Sequence, residues 1–445
     1  MTVKPFITAE EFAEALERAI YMSFPRMRES RDAESDLEGD NNKIVAAVSG
    51  GPDSMCLAYL ANEWCQRNNM KLLCAIVDHG LRKESATEAA TTVQGLQEKG
   101  IEAEVLKIEG LTDLKQNIHH QARNARYQQL LAYCHLKQAR ILLLGHHQDD
   151  QAETVIMRIL RGSGIDGVSG MAGVTERGRI MLLRPLLGFR KEQLIATLKI
   201  AGWEWAEDPS NYNLRFERSK VRHWLEALPE EEHNIAVQRL SLLAENATRA
   251  KDYLKQQTII ALAEVVQFYP GGYGILDKRK FAQLHEEIGL RVLTDILKTI
   301  GGPRAGTYPL RLESLQRVYQ QLIDKNRTTV EGTLHGCEFF TFRGDVYIIR
   351  ERSKLEGRVN LIPGKEKYWD GRFCIKVNEP HLHIQELGEQ GWRAVKKILD
   401  RALAIPAKAA YVTPAVFNAE NKLVYSVFLE EANNKVASVM WYPVN

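Results

Sequence analysis

Cysteine is sparse in this chain. The six cysteines among 445 residues, Cys56, Cys65, Cys74, Cys134, Cys337 and Cys374, form no CxxC pair. Their spacing argues against a zinc knuckle, a redox dithiol or an iron–sulfur site. Three of them lie in apolar stretches and read as small buried hydrophobes. No apolar run approaches the ~20 residues that a spanning helix needs, so membrane insertion is not expected. The first residues carry Glu10, Glu11, Glu14 and Glu17 in an amphipathic pattern unlike a signal peptide, which makes the cytoplasm the default setting. An excess of one charge is also missing. A net charge of +2 gives no global argument for nucleic acid, and any RNA site must come from local patches.

What is present begins with the apolar run 44–48, which has the short, β-branched composition of a buried strand. Ser49-Gly50-Gly51-Pro52-Asp53-Ser54 follows it directly, and apolar positions at helical spacing come next. A strand-to-helix turn of this kind grips an anion. Its two glycines let backbone approach a phosphate, its serines offer hydroxyls, and the helix start presents unpaired N–H groups. It lacks the lysine of the GxxxxGK[ST] nucleotide loop, so it is a different phosphate device.

Further strands are expected at 72–77, 103–108, 141–144 and 181–183, with helices near 53–68, 84–99, 118–137 and 150–160. This βαβ arithmetic predicts an α/β domain with a parallel sheet covered on both faces. Ligands of such sheets bind beyond the carboxyl ends of strands, where strand order reverses. Polar motifs do follow several of these strands. The second ends in Asp78-His79-Gly80-Leu81-Arg82, and the fourth in Gly145-His146-His147-Gln148-Asp149-Asp150-Gln151-Ala152-Glu153. The latter sets His146, Asp149 or Asp150, and Glu153 three or four residues apart at a helix start. Capping alone needs fewer carboxylates, so a Mg²⁺- or amine-binding role is the sharper reading. Zinc is disfavoured, because adjacent histidines point apart on a helix and no cysteine stands nearby. Downstream, Arg161, Arg177, Arg179 and Arg184, then Asp208-Pro209-Ser210-Asn211 with Arg215, Arg218, Lys220 and Arg222, suggest a surface that meets phosphates. Arg123 and Arg126 also suit phosphate or carboxylate contact.

SGGPDS looks like the SGGxDS pyrophosphate loop of the PP-loop ATP pyrophosphatases. Together with DHGLR, ARNARY, GHHQDDQAET, LRGSG, RPLL and DPSN in this order, it closely resembles the tRNA(Ile)-lysidine synthase family, strongly over 43–225 and more thinly beyond. In the later part Thr333-Leu334-His335-Gly336-Cys337 is similar to an accessory region of the family, with His335 where a glycine is expected. The resemblance implies a Rossmann-like PP-loop fold and an ATP-dependent C–N ligase acting on the CAU-anticodon tRNA(Ile). ATP adenylates the C2 oxygen of the wobble cytidine, and free L-lysine displaces AMP. It implies that Ser49, Gly50, Gly51, Pro52, Asp53 and Ser54 bind phosphates, with Asp78, His79, Arg82, Gly145 and Arg161 in the nucleotide site. Asp53 and Asp149 are the candidates for Mg²⁺, Asp149, Asp150 and Glu153 for metal or the lysine ammonium, and His146 for the base. Arg82, Arg161 and Arg184 are candidates for the α-phosphate or the lysine carboxylate.

The expected organisation is an N-terminal helix and linker (1–42), the PP-loop catalytic domain (43–225), a mostly helical accessory domain (226–352) with helices over 230–265 and 278–300 and a hairpin turning at Gly344-Asp345, and a small α+β domain that contacts tRNA (353–445). Rival readings are a tRNA thiolase, which the missing CxxC disfavours, and a non-catalytic RNA-binding protein, which the intact loop and carboxylates disfavour. The oligomeric state, monomer or homodimer, stays open.

Overall fold

The computed structural model describes residues 5–23, 42–78, 85–108, 118–206, 217–303, 310–399, 404–429 and 436–442. Two compact units divide the chain, Met1–Lys251 and Asp252–Asn445.

In the first unit, helix Ala9–Ser23 (α1) precedes Lys43–Val48 (β1), Pro52–Arg67 (α2), Lys71–Asp78 (β2), Ser85–Glu98 (α3) and Glu102–Lys107 (β3). Ile118–Leu136 (α4), Ile141–Leu144 (β4), Gln148–Leu160 (α5), Ile165–Val168 (α6), Val174–Arg177 (β5) and Ile180–Leu183 (β6) follow, then Lys191–Ala201 (α7), Glu217–Glu226 (α8) and Glu230–Val265 (α9), within which the boundary after Lys251 falls. The sheet order is β3-β2-β1-β4-β6-β5, parallel except for the edge strand β5, which pairs antiparallel with β6. From β1 the chain moves outward to β2 and β3, then returns to place β4 on the other side of β1. The order therefore reverses between β1 and β4, at the mouth where ligands of open α/β sheets bind.

The apolar strands are continuous because both faces are covered. Alternation sends Ile44, Ala46 and Val48 into a core shared with α1, α2, α3 and α7. Val45 and Ala47 enter the opposite core with Leu130, Tyr133 and Cys134 of α4. Helix α1 belongs to the first core: Phe12 and Leu16 are buried, the Ile7 N–H donates to Thr197 Oγ1 (2.9 Å), and Trp64 Nε1 donates to Glu17 Oε1 (3.0 Å). All six cysteines are buried thiols, and burial pushes Cys65, Cys74 and Cys134 up to about 12, which leaves them unreactive.

The second unit continues with Val266–Tyr269 (β7), Tyr273–Leu276 (β8), Lys278–Phe281 (α10), Glu286–Gly301 (α11), Leu312–Ile323 (α12), Glu331–Leu334 (β9), Cys337–Phe342 (β10) and Asp345–Arg350 (β11). These five strands form one sheet, β7-β8-β11-β10-β9, so the region expected to be mostly helical carries a sheet as well. Its strands have only four to six residues and sit between strongly periodic helices, which dominate the pattern. The helix expected over 278–300 is two helices, since Asp277 caps α10 and His285 caps α11 by accepting from the Glu287 N–H (3.2 Å). Leu334 pairs with Cys337, leaving His335 (φ +50) and Gly336 (φ +71) as a two-residue loop with both φ positive. That is the type I′ geometry that favours glycine or asparagine, and it gives a physical reason to expect glycine at His335. The next hairpin turns at Arg343-Gly344, one residue earlier than the expected Gly344-Asp345.

The remaining elements are Val359–Asn360 (β12), Lys367–Trp369 (β13), Phe373–Val377 (β14), His383–Glu386 (β15), Gly388–Leu399 (α13), Ala407–Tyr411 (α14), Pro414–Phe417 (β16), Leu423–Ser426 (β17) and Ala437–Trp441 (β18). They build two small antiparallel sheets, β12-β15-β16-β17 and β13-β14-β18.

Candidate active site

The loop 49–54 is braced by its own serines. Ser54 Oγ donates to the Gly51 carbonyl (3.0 Å) and accepts from the Ser49 N–H (3.0 Å), and the two hydroxyls lie 3.2 Å apart. Gly50 has φ +85, and a Cβ there would stand 2.6 Å from Thr92 Oγ1, so conformation and space both require glycine. Gly51 caps α2 without a side-chain hydrogen bond and Pro52 occupies the first turn, so the helix start faces outward as an anion cradle. Gly145, at the end of β4, approaches the same turn: a Cβ on it would lie 3.2 Å from the Asp53 carbonyl.

Helix α5 begins here. Its N-cap is His147, whose backbone N–H donates to Asp150 Oδ2 (3.1 Å). The imidazole is buried and faces three carboxylates, with Asp53 and Asp150 3.5 Å from Nε2 and Asp149 3.5 Å from Nδ1. Burial works against its protonation, but Asp150, Asp149 and Asp53 outweigh it and hold His147 up to about 10. His147 was not among the candidate residues. Its signal in the sequence was its place one residue before a helix and three before an acid, the pattern of a capping box. His146 behaves oppositely. Burial and the cations Arg184, Arg218 and Arg123, against Asp150, press it down to about 3, which makes it a poor proton acceptor.

The acidic helix start is already partnered. Asp149 Oδ2 accepts from the Lys191 N–H (2.9 Å) and its carboxylate lies 3.4 Å from the Arg190 guanidinium, which pins α5 to the start of α7. Burial opposes its ionisation, yet His147, the Lys191 N–H and Arg190 hold it well below the usual carboxylate range. Arg218 donates to Glu153 Oε2 (2.6 Å) and Asp150 Oδ1 (2.7 Å), and Arg222 donates to Glu153 Oε1 (2.5 Å). The i, i+4 arginines of α8, expected on a phosphate surface, instead clamp the carboxylates of α5.

Two of the cavities that open on this arrangement reach the phosphate loop. One of about 430 Å³ is lined by Ser49, Asp53, Gly145, His146, Asp150 and Arg218, among others including Arg123, Arg126 and Tyr127. The other, of about 730 Å³, shares Ser49, Asp53, Ser54, Ser219 and Arg222 and adds Thr92, Lys191, Lys199, Trp205 and His223. Phosphate loop, carboxylates and arginines thus meet at one mouth.

Other candidates line neither of these two cavities. Asp78 is buried and accepts from Ser85 Oγ (2.5 Å), fastening the start of α3. Arg184 uses Nη1 on the Ala172 carbonyl (2.7 Å) and Thr175 Oγ1 (3.1 Å), bracing the β5–β6 hairpin. Arg161 is exposed, pairs with Glu217, and sits at the far end of α5, ~18 Å along the helix axis from Asp149. His79, Arg82, the DPSN turn and Arg215 lie outside the described residues, as does most of the expected linker.

A Mg²⁺ accompanying ATP fits Asp53, whose buried Oδ1 has no hydrogen-bond partner among the described residues. It fits Asp149 poorly, because the Lys191 N–H, Arg190 and His147 already surround that carboxylate. Among the described residues no group of three or more His, Cys, Asp or Glu side chains is arranged to hold a metal ion. One carboxylate completed by phosphate oxygens and water is the arrangement Mg²⁺ commonly accepts with a nucleotide.

Fold and loop define a class, the PP-loop proteins: the family model described as a PP-loop domain matches residues 26–229. The tRNA(Ile)-lysidine synthase of Wolbachia pipientis wMel is 34% identical over 368 residues, covering 82% of this chain and 82% of that protein. That of Ruegeria pomeroyi is 34% identical over 377 residues, covering 84% and 86%. The chain belongs to the tRNA(Ile)-lysidine synthase family. Among solved structures, a U34-tRNA thiolase from Methanococcus maripaludis is similar at a TM-score of 0.42 and 21% identity, over 53% of this chain and 80% of that one.

Proposed function

We propose that this protein joins L-lysine to C2 of the wobble cytidine of the CAU-anticodon tRNA(Ile), using ATP and releasing pyrophosphate and AMP. The observation that carries the reading is the meeting, at the β1/β4 switch point, of the SGGPDS loop with Asp150 of α5 and its partners Arg218 and Arg222 around one cavity. A cytosine C2 oxygen is a poor leaving group and AMP a good one, so adenylation precedes amine attack. The loop hydroxyls and N–H groups hold the β and γ phosphates. Mg²⁺ at Asp53 would supply neutralisation of phosphate charge.

The incoming amine is the second difficulty. An ammonium of pKa ~10.4 is neutral in about one molecule in 2,500 at pH 7, equivalent to ~4.6 kcal/mol. Asp53 and Asp150, the carboxylates lining the smaller cavity, are placed to take that proton as the new bond forms. Asp150 and Glu153 also offer the lysine ammonium counter-charge, in exchange for part of their contact with Arg218 and Arg222. Lysine as the nucleophile is favoured over sulfur because all six cysteines are isolated buried thiols.

The deciding experiment is nucleoside mass analysis of the tRNA after incubation with ATP, Mg²⁺ and lysine. The expected product is cytidine carrying lysine in place of its C2 oxygen, with one AMP and one pyrophosphate formed per residue modified. Incorporation of sulfur, or an unmodified nucleoside with ATP intact, would overturn the assignment.

A further inference from the structure

We propose that the β5–β6 hairpin is an RNA-backbone contact, on which Arg177 and Arg179 meet phosphates of the strand whose nucleotide enters the cavity. The proposal rests on the reading of the protein as a tRNA-modifying enzyme and adds where the substrate's backbone runs.

Arg177 pairs with Ile180 across a tight turn containing Gly178 (φ +62), so Arg177 and Arg179 flank the tip of the hairpin, and both are exposed. Alternation along β5 puts Thr175 and Arg177 on one face and Glu176 on the other. Arg184 Nη1 donates to Thr175 Oγ1 (3.1 Å), which places Arg184 on the Arg177 face. Arg184 is in turn close to Tyr127, over whose ring the Arg123 guanidinium lies at 5.7 Å, and both Tyr127 and Arg123 line the 430 Å³ cavity. Guanidiniums therefore mark a continuous path from the hairpin tip to the cavity. Burial, followed by repulsion from Arg123 and Arg177, lowers the pKa of Arg184, as expected where like charges gather. Among the described residues no carboxylate pairs with Arg123, Arg177 or Arg179. Arginines that no described carboxylate pairs with suit a polyanion, and a phosphodiester strand has the linear spacing to follow them.

β5 is also an edge strand, and charged residues can serve only to prevent edge pairing. Charge reversal separates the two roles, since R177E/R179E keeps the edge charged while repelling phosphate. Binding of the CAU-anticodon tRNA transcript to the full-length protein should weaken by at least about tenfold. The slope of log K against log salt should become shallower by about 1.5, corresponding to two lost phosphate contacts. The KM for tRNA should rise while the KM for ATP does not, and R177K/R179K should recover the salt slope. Unchanged affinity and slope in R177E/R179E, with wild-type protein binding and modifying the tRNA, would overturn the hairpin assignment alone. A wild-type protein that binds no tRNA would overturn the functional reading and the hairpin with it.

Discussion

Two guanidinium–carboxylate clusters, one in each unit, are built from the same chemistry and used differently. In the second unit, Arg350, Asp370 and Arg372 are at most 1% exposed. Arg350 and Arg372 both reach Asp370 Oδ2, at 3.2 and 2.8 Å. Arg350 also donates to the turn carbonyls of Gly336 (3.2 Å) and Lys354 (2.9 Å), and Arg372 Nη1 donates to that of Gly272 (3.1 Å). The cluster ties the turns of the five-stranded sheet to the β13–β14 turn. In the first unit, Arg218 and Arg222 keep 31% and 25% of their side chains exposed, and both line cavities while holding Asp150 and Glu153. Ion pairing does not mark a site by itself. A cluster becomes a site where its charges face space that a ligand can enter.

The comparison breaks most sharply at Arg218. R218A leaves Arg222 to hold Glu153, so the fold should persist, while the cavity loses the guanidinium that sets both carboxylates. Lysine incorporation into tRNA should fall by about 10³-fold, ~4 kcal/mol of transition-state stabilisation. Activity within tenfold of wild type would make this cluster as structural as the other. The reverse behaviour is expected of D370N. It leaves two buried guanidiniums facing a neutral amide, a defect that typically costs about 3–5 kcal/mol. Urea unfolding, with hydrogen exchange to locate the loss in residues 252–445, measures it. Unchanged protection there would show that the turn carbonyls alone satisfy the two arginines.

The parallel sheet was legible because its strands are buried on both faces and its helices are amphipathic or apolar at a clear period. The expected strand 141–144 and helix 230–265 have the bounds found. Strand β5 was not legible: Val174-Thr175-Glu176-Arg177 is short and polar, as an edge strand can be. Within the site, the phosphate loop could be read because local backbone chemistry dictates it. The partners of its neighbours could not. Arg218 lies 65 residues from Glu153, and only the packing of α8 on α5 brings them together. His146 and His147 are adjacent and chemically identical in sequence. The strand-to-helix turn makes one a neutral cavity residue and the other a buried cation among three carboxylates.

That difference gives the smallest predicted effect, and one that the second unit's cluster should not share. Arginine and aspartate hold constant charge between pH 6.5 and 10, so the Arg350–Asp370–Arg372 cluster is indifferent to pH in that window. His147 is not, because its folded pKa of about 10 lies above the ordinary value of 6.5. Its contribution to stability is therefore fully present below pH 6.5 and is lost as pH rises through about 10. Between pH 7 and 9 the loss should be on the order of 2 kcal/mol. Buried thiols also destabilise the fold as pH rises, since their unfolded forms ionise first, so the wild type must be compared with H147N. Urea unfolding of both proteins at pH 7 and pH 9, in metal-free buffer, should show the wild type losing more stability than the variant by that amount. Equal losses would mean that His147 is neutral in the folded protein and that the three carboxylates around it are held by their other partners.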